Sequence, residues 1–508
     1  MQFRLQLTII TDDGLEQTEE VTCLERKEVS LATLGLSMME GKTILRQLQQ
    51  LVLSHQVQGY LQGQRPCPHC GRARTTKGGG TSPYRTPFGK VHLSNPRWHQ
   101  CPCRPQPTRT FRPLASLQIE PTSPELLYLE TKWASLVSYG VTVKLLDEVL
   151  PIDEKLSAQS VRHHLHQVAE REEQALGEED VCPIRSCQRE RDRLPMPDGP
   201  LTVGLDGGYV RGRKAESAPP TESEAPRPSG WFEVITGKSI LSFRRRDPEP
   251  AEPSMKCFGL VQGYDTKPKR RVYETLLAHG MQENQQVTFL SDGGDTVRQL
   301  QWYLSPESEH LLDWFHVTMR LTVLSQCARG LAKPETAQCA PVPPPTLDDE
   351  EPEPLATPEE LARSIESVKH YLWHGNVVRA LDRVQDLTDA LLGWEEKGGP
   401  SVQRATVRMR KHVAEFETYL RNNQSLIVNY GERYRNGETI TTAFVESTVN
   451  QVISRRMVKK QQMQWTPRGA HLLLQARTRV LNDDLEKTFR QHYPGFRVPA
   501  DEAEAKAA

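Results

Sequence analysis

Two aspartates in this chain share one setting: an apolar run, then Asp, then Gly-Gly. The first is Asp206 with Gly207 and Gly208, after the alternating residues Leu201, Val203 and Leu205. The second is Asp292 with Gly293 and Gly294, after Val287, Phe289 and Leu290. A carboxylate at a strand end, beside glycines that let a ligand approach the backbone, is where metal-dependent sites are often built. One carboxylate cannot hold a catalytic metal, and two brought together repel unless a cation lies between them. Mg2+ (or Mn2+) prefers carboxylate and water oxygens, so the pair predicts a site for such ions. The best candidate for a third acid is Glu446, in a segment with helical spacing that sets Phe444, Val445, Val449, Val452 and Ile453 on an apolar side. Glu446 and Asn450 are one turn apart and share a face. Asp295 competes with Asp292 but reads better as the cap of the next helix. Glu432 and Glu438 compete with Glu446 from a Gly/Asn-rich stretch.

Cysteine supplies a second chemistry. Cys67-x2-Cys70 is followed about 30 residues on by Cys101-x-Cys103, with a hairpin-like segment over 84–93 between them. Two cysteine pairs joined by a short hairpin read as a zinc ribbon, with structural Zn2+ held by four thiolates. His69 or His99 is the alternative fourth ligand. From 61 to 114 the chain has no Asp or Glu, but it has Arg65, Arg72, Arg74, Lys77, Arg85, Lys90, Arg97, Arg104, Arg109 and Arg112. Such a patch suits a surface that neutralises phosphates, unless it is only a solvated basic face. Cys182 and Cys187, at C-x4-C spacing, read as ordinary thiols.

These residues need a frame. Strands are expected over 3–10 and near Val21, and a helix over 41–62. Three helices are expected over 125–176, the second at 143–149 and the third capped by Ser157. A short helix, a turn with Pro151 and a helix bearing Arg162, His163, His164 and His166 fits a helix-turn-helix; the alternative is a small bundle. Past Asp206, 231–242 reads as two strands around a Gly-Lys turn, 255–264 as a further strand and 269–279 as a helix. The strand ending in Asp292 follows. Strands in meander, a helix, then another strand is the order of an RNase H-like α/β fold, which sets the ends of the first and fourth strands side by side. Residues 214–230 and 333–360 read as linkers, and 501–508 as a polar tail. Residues 361–430 have helical periodicity, in which Trp373 and Trp394 serve as core or, alternatively, stack on an unpaired base.

The set Asp206-Gly-Gly-Tyr-Val-Arg, Ser-Asp292-Gly-Gly, Asp313-Trp-Phe-His316 and Glu446-Ser-Thr-Val-Asn resembles the DDE transposases of bacterial insertion sequences, most nearly the ISKra type of the Mutator-like group. The resemblance spans roughly residues 65–485. It implies an RNase H-like catalytic core with an α-helical insertion before the catalytic Glu, and a triad on Asp206, Asp292 and Glu446. It places the family's Cys/Asp-x2-His element on Asp313 and His316, which could instead fix the start of a helix by a side-chain hydrogen bond. The implied chemistry is hydrolysis at transposon ends and 3′-OH strand transfer into target DNA through two divalent ions bridged by Asp206. Terminal inverted repeats and target DNA are the implied partners, with a homodimer or larger assembly joining two ends. Arg72, Arg74, Lys77, Arg97, Arg162, Arg455, Arg456, Lys459 and Lys460 are the expected DNA-binding cations. A non-catalytic DNA-binding relative and a nuclease that cuts without joining are the rival readings.

The expected domains are an N-terminal strand/helix region (1–60), the ribbon (61–115), the helix-turn-helix-like region (120–180), the first part of the core (198–325), linker and insertion (333–430), the second part of the core (431–485) and a tail (486–508). The chain has 508 residues, ten cysteines and a formal net charge of −1. Its mean hydropathy is −0.59. No apolar run reaches the roughly 18 residues of a membrane span, and the N-terminus lacks the apolar core of a signal peptide. With the resemblance to bacterial transposases, the expected place is the bacterial cytoplasm, at the nucleoid.

Overall fold

The computed structural model describes residues 1–11, 14–31, 34–103, 109–117, 120–152, 156–179, 186–197, 199–213, 230–241, 255–304, 308–331, 356–397, 400–458 and 463–497. It divides into two compact bodies, residues 1–175 with 472–508, and residues 176–471. No helix among the described residues is long and apolar enough to cross a membrane.

The first body begins with an antiparallel pair, β1 (Gln2–Ile10) and β2 (Glu16–Glu25), and helix α1 (Met38–Gln64). Ser37 and Glu40 close a reciprocal capping box at the start of α1, which satisfies two otherwise orphaned backbone donors. Strands β3 (Thr76–Gly78), β4 (Thr81–Thr86), β5 (Gly89–Ser94), β6 (Arg97–His99) and β7 (Thr110–Phe111) follow. β4 and β5 form the expected hairpin, and β3, β6 and β7 form a small sheet. Helices α2 (Pro124–Leu136), α3 (Tyr139–Val149) and α4 (Ala158–Ala175) come next. Ser123 and Ser138 cap the first two, and the Ser157 hydroxyl accepts from Ser160 N–H at 3.0 Å ahead of the third. Closely spaced serine caps explain why this stretch forms three short helices and not one long one.

In the second body a short helix α5 (Gln188–Arg191) leads to β8 (Leu201–Arg211), β9 (Trp231–Leu241), β10 (Met255–Val261), α6 (Pro268–Ala278), β11 (Val287–Ser291), α7 (Asp295–Leu304), β12 (Glu309–Leu312) and α8 (Trp314–Arg329). The five strands form one sheet in the order β10-β9-β8-β11-β12. β8, β9 and β10 pair antiparallel; β11 and β12 continue the sheet parallel to β8. The Gly237-Lys238 turn expected within 231–242 is absent, because β9 runs straight through it. Gly237 is there for close packing: a Cβ would lie 2.1 Å from the Phe258 ring. One sheet face carries the core of Leu201, Val203, Leu205, Phe258, Val272 and Phe289.

Helices α9 (Pro358–Trp373), α10 (Val377–Lys397) and α11 (Pro400–Asn423) build a second core in this body. Trp394 is wholly buried there, and its indole N–H donates to the Ala356 carbonyl at 2.8 Å, so it is a core residue and not a base-stacking platform. Trp373 packs against Trp314, with ring centres 5.1 Å apart. A short helix α12 (Tyr430–Arg435) and α13 (Ala443–Val449) follow, and α13 continues into a π-helical segment, Asn450–Val458. Helix α14 (Pro467–Leu481) and helix α15 (Leu485–His492) are the last helices among the described residues. The span expected as a tail from 486 therefore carries a packed helix. Leu485, Phe489 and Phe496 are buried with Leu127 and Val168 in the first body, an i, i+4 apolar pattern that the composition of the last residues obscures.

Candidate active site and metal centre

The register of the sheet sets the acids in a row. Leu290 of β11 pairs with Gly204 of β8 on one side and with Leu311 of β12 on the other. Two residues further along are Asp206, within β8, and Asp292 and Asp313, each just past the last residue of its strand. β8 runs on to Arg211, still paired with β9, so Asp206 is not the strand end that the sequence suggests. Side chains two apart share a sheet face, and neighbouring strands lie about 4.8 Å apart, so the sheet brings the three aspartates to neighbouring positions.

α13 lies across the face that carries Asp206. A Cβ on Gly204 would meet Val445 Cγ2 at 2.2 Å, and one on Gly208 would meet Ile453 Cδ1 at 3.0 Å and Val449 Cγ1 at 3.5 Å. Gly204 and Gly208 flank Asp206 on its own face, so the missing side chains are what lets the helix carrying Glu446 come down beside Asp206. Asp206 is half-buried; Asp292 and Glu446 are exposed. The Gly207 N–H donates to Asp206 Oδ1 at 2.8 Å, and the Gly294 N–H reaches Asp292 Oδ1 at 3.3 Å. Gly293 takes φ +100°, and a Cβ there would sit 2.2 Å from Asn423 Oδ1, so the Gly-Gly after Asp292 is required by both conformation and space.

Burial raises the pKa of Asp206 above its ordinary value, and the carboxylates of Asp292 and Glu446 push the same way. The Gly207 N–H and His316 oppose them. The three acids therefore share one electrostatic environment. Their oxygens are not among the described groups whose ligand atoms all lie within 4.8 Å of one another. A two-ion site does not need that. Ions about 3.5–4 Å apart with Mg–O bonds of about 2.1 Å hold their outermost ligands up to roughly 8 Å apart.

Asp313 has a different part from the other two. It is fully buried and caps α8, accepting from Phe315 N–H at 3.0 Å. It also accepts from Thr442 N–H at 2.9 Å and from the Thr442 hydroxyl. Its own N–H donates to the Ser291 carbonyl at 2.8 Å, next to Asp292. With its lone pairs spent on these donors and on His316 Nδ1 at 2.6 Å, Asp313 has little capacity left for a metal. It ties the end of β11, the start of α8 and the residue before α13 into one unit. His316 is held by that bond, which raises its pKa, and Asp292 and Asp206 raise it further. An imidazolium beside the acid pair offsets part of their repulsion. Asn450 lies one turn past Glu446, where the π-helical segment begins. π-turns are rare and are found mostly at functional sites.

The competing acids lie elsewhere. Glu438 pairs with Arg433 at 2.8 Å, and Arg433 also pairs with Glu309 at the start of β12. A cleft of about 570 Å³ opens at that end of the strands, lined by Thr202, Thr288, Glu309, Glu432 and Arg433, and contains none of the expected residues.

In the first body Cys67, Cys70, Cys101 and Cys103 cluster with all four sulfurs within 4.8 Å. Cys67 and Cys103 are 3.6 Å apart, and Cys70 and Cys101 are 3.4 Å apart. A tetrahedral zinc with Zn–S bonds of about 2.3 Å needs sulfur separations of about 3.8 Å, so the set could hold zinc. Gly71, at φ +72°, turns the chain back so that its N–H reaches the Cys67 carbonyl at 2.9 Å. The backbone N–H groups of His69 and Cys70 pull the Cys67 thiol down to about 6, while Cys101 and Cys67 push Cys103 up to about 12. Four thiols this close resist ionising together, and a cation among them removes that conflict. The cluster is made of cysteines alone; neither His69 nor His99 is part of it.

Of the expected cations, Arg72, Lys77, Arg97, Arg162 and Arg455 are exposed. Arg74 is half-buried, donating to the Gln64 carbonyl at 2.7 Å and lying 4.8 Å from the centre of the Phe111 ring. Arg456 corrects the sequence reading. It is wholly buried, 5.5 Å over the Trp465 ring, and in that position cannot reach a phosphate in solution. The signal was present: Arg456 falls four residues after Val452, on the buried side of its helix. Lys459, Lys460 and Cys182 lie outside the described residues; Cys187 is exposed.

No protein-family model matches the chain, and no curated protein matches it. Among solved structures, it is similar to the Drosophila P element transposase strand transfer complex at a TM-score of 0.28 and 11% identity, over 72% of this chain and 93% of that one. A likeness of that grade carries no argument.

Proposed function

We propose that the chain is a DDE transposase of the ISKra type, with an RNase H-like core that cuts DNA at transposon ends and joins the freed 3′-OH to target DNA. One observation carries the reading. Asp206 within β8 and Asp292 just past the end of β11 stand on adjacent parallel strands, and Gly204 and Gly208 let the helix of Glu446 lie across the Asp206 face. Together these residues make an acidic cluster that favours divalent cations. When bound, two such ions supply Lewis acidity to the scissile phosphate and to the attacking oxygen. Asp206, with one oxygen bonded to Gly207 N–H, would hold such ions together with Asp292 and Glu446. His316, whose pKa is raised by Asp313, Asp292 and Asp206, adds positive charge beside Asp206 and Asp292 when protonated, and Asp313 positions both His316 and, through Thr442, the helix of Glu446.

The four-cysteine cluster is proposed as a structural zinc site. Arg72, Lys77 and Arg97 around it, Arg162 on α4 in the role of a recognition helix, and Arg455 are the proposed phosphate contacts. Two ends must be joined, so a homodimer or larger assembly is proposed, acting on chromosomal DNA. Incubating the full chain with labelled terminal-repeat DNA, target plasmid and Mg2+ or Mn2+ tests this. Joined product is expected. Cut but unjoined product favours a nuclease, and intact DNA favours a non-catalytic DNA-binding protein.

A further inference from the structure

We propose that Arg320 is a phosphate-binding residue of this site, contacting the backbone of a DNA strand whose phosphodiester lies at Asp206, Asp292 and Glu446; the inference rests on the DNA reading above. Arg320 follows His316 by four residues on α8, so the two rise from one helix face. His316 lies within the field of Asp206 and Asp292. The Arg320 guanidinium lies 4.1 Å from the centre of the Tyr419 ring. Asn423, one turn after Tyr419 and bonded to its carbonyl at 2.9 Å, packs against Gly293 beside Asp292, and Tyr419 is itself in the field of Asp292 and Asp313, so the pair lies close to these acids.

Arg320 is exposed, and among the described residues it forms no ion pair with a carboxylate. That is the informative point. A cation at the edge of an acidic cluster gains most by pairing with one of its members, yet this one lies against a ring. Cation–π contact fixes the plane of a guanidinium, while those of its N–H groups that do not face the Tyr419 hydroxyl stay available. A flat, pre-oriented fork of donors beside a divalent-ion site matches a phosphate oxygen pair, and an ammonium would not. Once ions fill the acidic cluster, the local charge turns in favour of an incoming anion, and Arg320 is placed to hold it.

The test reads binding apart from cutting. The affinity of the full chain for a short mixed-sequence duplex is measured with and without Ca2+, across a salt series, for wild type, Arg320→Ala, Arg320→Lys and Arg329→Ala. Arg320→Ala should reduce the Ca2+-dependent affinity about tenfold and lessen the log–log salt slope by about one. Arg320→Lys should keep the slope and recover only part of the affinity. Arg329→Ala, on the same helix, should leave the Ca2+-dependent part unchanged. An Arg320→Ala protein with wild-type affinity and slope overturns the proposal. A wild-type chain that binds no DNA overturns it together with the DNA reading. A chain that binds through Arg320 but never cuts with Mg2+ or Mn2+ leaves Arg320 assigned and overturns only the catalytic reading.

Discussion

Replacing Gly204 by Ala should disable the site without touching a charged group. The new Cβ would stand 2.2 Å from Val445 Cγ2 and 2.8 Å from Phe444 Cζ. Ordinary contact begins near 3.4 Å, so the start of α13 must withdraw by about 1.2 Å at Val445. Rotating Val445 alone does not suffice, because Phe444 blocks the same space. Overpacking of this kind costs about 1–3 kcal/mol. A misplacement of about 1 Å at a catalytic group costs on the order of 100-fold in rate. Glu446 is the next residue on the helix that moves, so single-turnover cleavage of labelled end DNA should fall by about that factor while the protein stays folded. Gly208→Ala is the control: its Cβ meets the tip of Ile453 at 3.0 Å, a flexible end that can give, and the loss should stay within about tenfold. Adding Val445→Ala to Gly204→Ala should restore part of the rate. A folded Gly204→Ala protein that cuts as fast as wild type would refute the claim that this glycine seats Glu446.

Asp206→Asn should abolish cutting yet raise the melting temperature of the metal-free protein. Burial and the neighbouring acids raise the Asp206 pKa, so its charge opposes folding above that value, and the gain should fade as pH falls below it. His316 has the opposite sign: its pKa is raised chiefly by Asp313, so its contribution is full below the ordinary 6.5 and is lost as pH rises through the raised value. His316→Gln should flatten that part of the stability–pH curve. Thr442→Val takes a hydroxyl donor from the buried carboxylate of Asp313 and should cost about 1–3 kcal/mol in denaturant unfolding. Metal analysis should find one zinc per chain in wild type and none in Cys70→Ala, and a chelator should expose residues 61–115 of the wild type to protease.

Chemistry that repeats in the sequence was the part most easily read from it. Asp206 and Asp292, each in front of Gly-Gly, and the paired cysteines announce themselves because few backbones need those residues in that order. The purpose of the glycines was harder to see. Gly204, Gly208 and Gly237 clear space for side chains 21 to 245 positions away, and only the folded packing shows which. A Gly-Lys pair in mid-strand therefore passed for a turn. Charge runs also misled, since counting Arg455 and Arg456 together says nothing of direction: one is exposed and its neighbour is enclosed against Trp465. Asp313 read as a residue that could fix a helix start, and its full set of four donors became visible only once Thr442, 129 residues later, was beside it.

Crystals of the full chain soaked in Mn2+ and measured for anomalous scattering test the central claim most directly. The account predicts two manganese peaks about 3.5–4 Å apart, with Asp206 between them and Asp292 and Glu446 at either side. No peak at the Asp206 carboxylate, with manganese bound elsewhere or not at all, would contradict it.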